Sequence, residues 1–297
     1  MPKIEITPRD LKILRLVYDY RWVSTRQVKA IFGSSRHLDW RLQWLYHRGF
    51  LDRPRKSEYN YLRGRYSYRS LPLAVTDEAA QLLAEQGLVK TKRRRFYFNQ
   101  NNRDTKAQYI WHQLRVSESC FCLLLALGNR EDARLVASLS GEKVRHQVAW
   151  EYSQQGLWRE TYRAEDQLIR PDRFLILESN HRDPDRPQAY YFLEYETMSR
   201  RPSVFQNKVR AYEEYHRIFI REREQAGPFG MDNMRVLVVT PTETDSDKLR
   251  EYTAKAGIEL PRLFYFTSEK RYTLDQPDGI LWCWTNALGE EDQSLLY

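Results

Sequence analysis

Cysteine is scarce in this chain. Three residues in 297, Cys120, Cys122 and Cys283, are too few for a disulfide framework, and "CFC" is too tightly spaced for an ordinary structural zinc site. They read as small buried apolar side chains. Long apolar runs are absent too: no stretch approaches 18 apolar residues, and the opening MPKIEITPRDLK lacks the apolar core of a secretory signal. The expected compartment is therefore the cytoplasm, with no membrane partner. There is also no GxxxxGK[ST] phosphate loop, which argues against an ATP-driven motor.

What the chain does have is a globular composition, 41% hydrophobic and 13% aromatic, in a length that fits two domains. Its net charge of +8 is unevenly spread. Residues 1–95 hold 21 Lys and Arg against 9 Asp and Glu, a balance of +12, whereas residues 96–297 hold 27 against 31, a balance of −4. Such asymmetry points to a polyanion for the first third, double-stranded DNA foremost, and to a different task for the remainder.

The first third carries helix signals in a telling order. Thr7 caps and Pro8 opens a first helix, Ser24 caps a short second one that stops at Gly33, and SRHLDWRLQWLYHRGFL makes a third. In the third, Leu38, Leu42, Leu45 and Tyr46 share a face, while Arg36, His37, Arg41, Gln43 and Trp44 lie mostly on others, as suits a recognition helix. The basic, tyrosine-rich stretch LDRPRKSEYNYLRGRYSYRSLPLAVT alternates around Gly64 and predicts a two-stranded wing, after which Thr76 caps a closing helix. This is the order of a winged helix-turn-helix. Arg36, Arg41, Gln43 and Trp44 then serve as groove contacts, and Arg53, Arg55, Lys56, Arg63, Arg65 and Arg69 as phosphate contacts. Lys92, Arg93, Arg94 and Arg95 form either a phosphate-gripping arm or a solvated linker. The expected boundaries are a DNA-binding domain at 1–95, a polar linker at 96–104 and a second domain at 105–297.

The second domain opens with a helix at 105–127, carrying Glu118 on or beside its buried stripe. Strands follow at KVRHQVAWEY, LIRPDRFLIL and AYYFLEYET, then a helix at 201–223 and the strand MRVLVVTP. Another helix and the strands LFYFTS and GILWCWT complete it. The expected fold class is α+β, a winged helix-turn-helix followed by the αβββαβ order that is also the core of the PD-(D/E)XK, restriction-endonuclease-like fold. Within that order Asp172 and Glu194 sit at neighbouring strand ends, and with Glu118 they offer oxygen ligands for Mg²⁺ or Mn²⁺. The usual third-strand motif ends in lysine, and here Glu196 holds that place. Under a nuclease reading Glu196 is a further ligand or Lys208 the substitute lysine, and the catalytic set is Asp172, Glu194, Glu196 and Lys208. The plainer reading makes the acidic residues strand-end carboxylates at a solvated rim, paired with Arg173, Arg200 or Arg201.

From about Thr7 to Trp284 the chain resembles the replication-relaxation family of bacterial plasmids, phages and integrative elements. The matching features are TPRDLKILRLV, RLQWLYHRGFLDR, LAVTDEAAQLLAEQG, His112 in WHQLRV, RPDRFLIL, LEYET and KVRAYEEY, in that order. The resemblance implies a part in replication, mobilisation or topological relaxation of a mobile element. Where the family's pattern is PDG and E-x-D, this chain has Arg173 and Glu196. His112 can titrate near neutrality, but a helix histidine beside Trp111 more often packs. Six dispersed histidines form no cluster to serve a relaxase-type tyrosine. The favoured reading is a DNA-binding protein without catalysis. The others are a divalent-metal-dependent nuclease or nickase, and a transcriptional repressor acting as a homodimer. Another replication or mobilisation protein of the element is the expected protein partner.

Overall fold

The computed structural model describes residues 5–90, 96–144, 169–198, 201–217, 220 and 231–297. Lys92, Arg93, Arg94 and Arg95 lie outside the described residues, as does most of KVRHQVAWEY. The chain is α+β and divides into two compact units, Met1–Phe121 and Cys122–Tyr297.

In the first unit the local signals do what their chemistry dictates. Thr7 accepts from the Asp10 N–H while the Asp10 carboxylate takes the Thr7 N–H, a capping box that starts α1 (Pro8–Tyr20) with proline in its first turn. Ser24 and Gln27 make the same reciprocal pair at α2 (Thr25–Phe32), and Ser35 caps α3 (Arg36–His47). Three short antiparallel strands, β1 (Val23–Ser24), β2 (Leu51–Asp52) and β3 (Pro72–Val75), form a sheet ordered β1-β3-β2. Thr76 caps α5 (Asp77–Glu85).

Two expectations are corrected here. Between β2 and β3 the chain does not extend a two-stranded wing; it folds into α4 (Lys56–Tyr66), with Gly64 inside the helix. Glu58 near the start and Arg63 and Arg65 near the end complement the helix dipole. Leu62 is fully buried among Trp22, Tyr68, Ile110 and Leu114, and Tyr66 stacks on Trp111 with ring centroids 4.5 Å apart. Spacing of three and four residues along one face therefore prevails over the alternation of Tyr59 and Tyr61. Nor is 96–104 a plain linker: Phe98–Asp104 is α6, fastened by buried Asn102, whose amide donates to the Asp52 carboxylate and to the Val75 carbonyl. The division between the units falls after Phe121, inside α7 (Ala107–Gly128), because the first half of α7 is tied to the first unit. There Gln27 donates to the Leu114 carbonyl at 2.7 Å, and the Ser117 hydroxyl donates to Trp22.

The second unit holds a six-stranded mixed sheet in the order β4-β5-β6-β7-β8-β9. β4 (Ala133–Ser140), β5 (Arg173–Ser179) and β6 (Gln188–Tyr195) run antiparallel. β6, β7 (Arg235–Thr240) and β8 (Phe264–Ser268) are parallel, with α8 (Pro202–His216) and α9 (Glu243–Ala254) as the crossovers. β9 (Thr285–Asn286) closes the sheet antiparallel to β8. A core that includes Phe174, Phe192, Tyr212, Tyr215, Val236, Val238, Phe264 and Phe266 fills one face of the sheet beneath these helices. The first strand among the described residues is ARLVASLS; of KVRHQVAWEY only Lys143 and Val144 are described, and both are helical. GILWCWT is extended only at its end: Gly279–Leu281 belong to a 3₁₀ helix (Pro277–Leu281), Trp284 bridges to Gln293 and Thr285 opens β9. Gly141, just past β4, approaches the chain so closely that a Cβ there would lie 1.6 Å from the Pro171 carbonyl oxygen. Among the described residues no helix is long and apolar enough to cross a membrane.

Candidate functional site

Alternation along β6 brings Glu194 and Glu196, two residues apart, to one side of the sheet near its end, where α8 faces them. On α8, Lys208 and Tyr212 are four residues apart and thus stacked on one helix face. The Lys208 ammonium donates to Glu194 Oε2 at 3.1 Å and to Glu196 Oε1 at 2.5 Å. The Tyr212 hydroxyl donates to the other Glu194 oxygen at 2.6 Å. Asp172, just before β5, accepts the Tyr195 N–H at 2.8 Å, so the strand-end carboxylates are drawn into one cluster. Arg173 is buried at the first position of β5.

The electrostatics follow from burial. Glu194 is only 2% exposed, and burial lifts its carboxyl to about 7; Lys208 pulls it down, while Asp172 and Glu196 push it further up. Burial acts to lower Lys208, but attraction from Glu194, Glu196 and Asp172 overcomes it, so the group is raised and stays an ammonium. Tyr212 is raised well above the usual phenol range by burial and by Glu194, and its hydroxyl therefore remains a donor.

These donors do not fit a divalent cation. Both oxygens of Glu194 are committed, one to an ammonium and one to a phenol, and the ammonium lies between the two glutamates where an ion would need to sit. Glu118, the expected third ligand, is held instead in the first unit by Arg115 at 3.3 Å and Arg26 at 3.8 Å. Among the described residues, no group of three or more His, Cys, Asp and Glu side chains is arranged to hold a metal. Tyr212 was missed by sequence reasoning, although its spacing from Lys208 was visible.

The first unit distributes its cations differently. Arg36, Gln43, Arg55, Lys56, Arg63, Arg65 and Arg69 are exposed, and Trp44 and Arg53 are half-buried. Arg53 lies over the Tyr46 ring at 3.7 Å. Arg41 is the exception and corrects its assignment as a groove contact. It is 6% exposed, its Nε donates to Asp10 Oδ1 at 2.8 Å and its Nη2 to Asp10 Oδ2 at 2.5 Å, and Nη2 also donates to the Glu5 carbonyl. Burial acts to raise Asp10, yet the hydrogen bonds from Arg41 and Thr7 outweigh it and hold the carboxyl below its ordinary value. Trp40 was not singled out in the sequence, yet it is the most exposed tryptophan among the described residues, at 46%. Asn60, also unanticipated, joins Arg63, Gly64 and Arg69 around a cleft of about 430 Å³. His112 is half-buried on α7, with Nδ1 3.4 Å from the Gln113 amide.

No curated protein and no solved structure gives a significant match to the chain. The family model described as replication-relaxation matches residues 14–230, a span that takes in α3, the basic helix α4 and the whole carboxylate–lysine cluster. The chain thus belongs to the replication-relaxation family, which ties it to the replication or mobilisation of mobile elements.

Proposed function

We propose that the protein binds duplex DNA through its first unit, without cutting it, in the replication or mobilisation of a mobile element, and that the second unit extends the contact to DNA or to another protein of that element. The observation that carries this reading is the outward display of cations along α3, α4 and the turn into β3. Arg36, Arg55, Lys56, Arg63, Arg65 and Arg69 all face solvent there. The order α1, β1, α2, α3, β2, β3 supports a winged-helix reading in which α4 replaces the tip of the wing. On this reading α3 lies in the major groove with Arg36, His37, Trp40 and Gln43 on its open face, and the cleft beside α4 receives a backbone phosphate.

The order α7, β4, β5, β6, α8, β7 supports a nuclease-like fold for the remainder, and the lysine-filled carboxylate cluster supports a version of it that does not cut. A gel-shift titration against salt tests the docking surface. The logarithm of affinity is expected to fall with log salt at about 0.9 per neutralised phosphate, and Arg63→Ala with Arg65→Ala and Arg69→Ala to flatten that slope by up to about 2.7. Unchanged affinity and slope in a folded triple variant would remove α4 from the interface.

A further inference from the structure

The carboxylates of the second unit are spaced for a cation and already have one. Glu194, Glu196 and Asp172 concentrate negative charge at the ends of β5 and β6, and burial of Glu194 makes that charge expensive unless it is neutralised. A divalent ion is one way to neutralise it and a lysine ammonium bonded to both glutamates is another. The geometry points to the second: we propose that Lys208 is the resident cation of this site, its ammonium holding the position between Glu194 and Glu196 that a metal would require, so that the second unit does its work with no divalent ion bound there.

Three observations converge on this assignment. Lys208 is bonded to both glutamates at once, at 3.1 and 2.5 Å, which a lysine merely flanking a metal site would not need to be. Tyr212, one helical turn on, donates to the remaining Glu194 oxygen at 2.6 Å, so each oxygen of this carboxylate already accepts a hydrogen bond from α8. Glu196 is also anchored through its backbone, its N–H donating to the Val239 carbonyl at 2.9 Å, which fixes the second carboxylate within reach of the ammonium. The consequence is mechanical as well as electrostatic: α8 is clamped to β6 by charge at this end of the sheet. The inference rests on this geometry and not on the DNA-docking reading, and either can fail without the other.

Isothermal titration of Mn²⁺ into the full-length protein tests it, with wild type, Lys208→Met, Glu194→Gln and the Lys208→Met/Glu194→Gln pair compared. Wild type is expected to show no saturable binding that depends on Glu194. Lys208→Met keeps the aliphatic stem, removes the charge and is expected to gain a saturable site, which the added Glu194→Gln abolishes. Saturable binding by wild type that Glu194→Gln removes would overturn the proposal, because the metal would then be displacing the ammonium. So would a folded Lys208→Met protein, verified by circular dichroism, that takes up no Mn²⁺. Should Lys208→Met fail to fold, the wild-type and Glu194→Gln titrations decide between the two outcomes unaided.

Discussion

The two units treat charge in opposite ways. In the first, cations are turned outward over α3 and α4, and Arg41, which points in from α3, is matched by the buried Asp10. In the second, anions are drawn inward at the ends of β5 and β6, and a single lysine from α8 is turned in to meet them. An outward cation is available to a polyanion and contributes little to the fold. An inward ion pair does the reverse: it is withdrawn from any partner, and losing one member exposes the other to an uncompensated buried charge. Motif position alone does not separate these cases. Arg41 and Gln43 lie on the same helix two residues apart, and only Gln43 is exposed.

The sharpest way to break the comparison is at its inward pairs. Arg41→Ala is expected to cost about 3–5 kcal/mol in urea unfolding, whereas the apolar pair Asp10→Leu with Arg41→Met recovers most of it. A loss below about 1 kcal/mol would mean that Arg41 belongs with the outward set. Tyr212→Phe removes a hydrogen bond to a buried carboxylate and is expected to cost about 1.5–3 kcal/mol when measured at pH 8, where Glu194 is ionised.

The pH dependence of Glu194 is a finer test. Its carboxyl is raised from 4.5 to about 7 in the fold, so the folded state holds a proton that the unfolded chain gives up, and the stability this contributes is present below pH 4.5 and lost as pH rises through about 7. Wild type should therefore lose stability relative to Glu194→Gln across that window and run parallel to it above; thermal midpoints of both proteins from pH 4 to about 8 would show it. Parallel profiles throughout would show that Glu194 is not raised. The smallest effect on the fold is expected at the outward cations. Arg63→Ala with Arg69→Ala should leave unfolding free energy within about 0.5 kcal/mol of wild type while weakening DNA binding in a gel shift.

Much of the local structure was legible. The caps at Thr7, Ser24 and Thr76 depend on one side chain and a backbone N–H three residues away, so the sequence alone carries them. The apolar runs of β6 and β7 are equally local. What was not legible depended on partners far along the chain. YNYLRGRY offers both an alternating and a helical pattern, and packing of Leu62 and Tyr66 against residues of α7 decides between them. Arg41 falls three residues after Leu38 and four before Leu45, on the inward face, but its reason for being there, Asp10, is 31 positions away. At the carboxylate cluster the two glutamates and Lys208 stood out by type and spacing. The phenol that completes the cluster did not, because a tyrosine in an amphipathic helix carries no mark of which carboxylate it meets.

One glycine limits how this cluster can drift. Because any Cβ at position 141 would overlap the Pro171 carbonyl oxygen, even alanine there displaces the residue that immediately precedes Asp172. Asp172 is the acceptor that fixes the Tyr195 N–H beside Glu194. Mutational tolerance at this end of the sheet is therefore set partly by a residue with no side chain and no charge. In a saturation library read by folding, position 141 should be as intolerant as Glu194 itself.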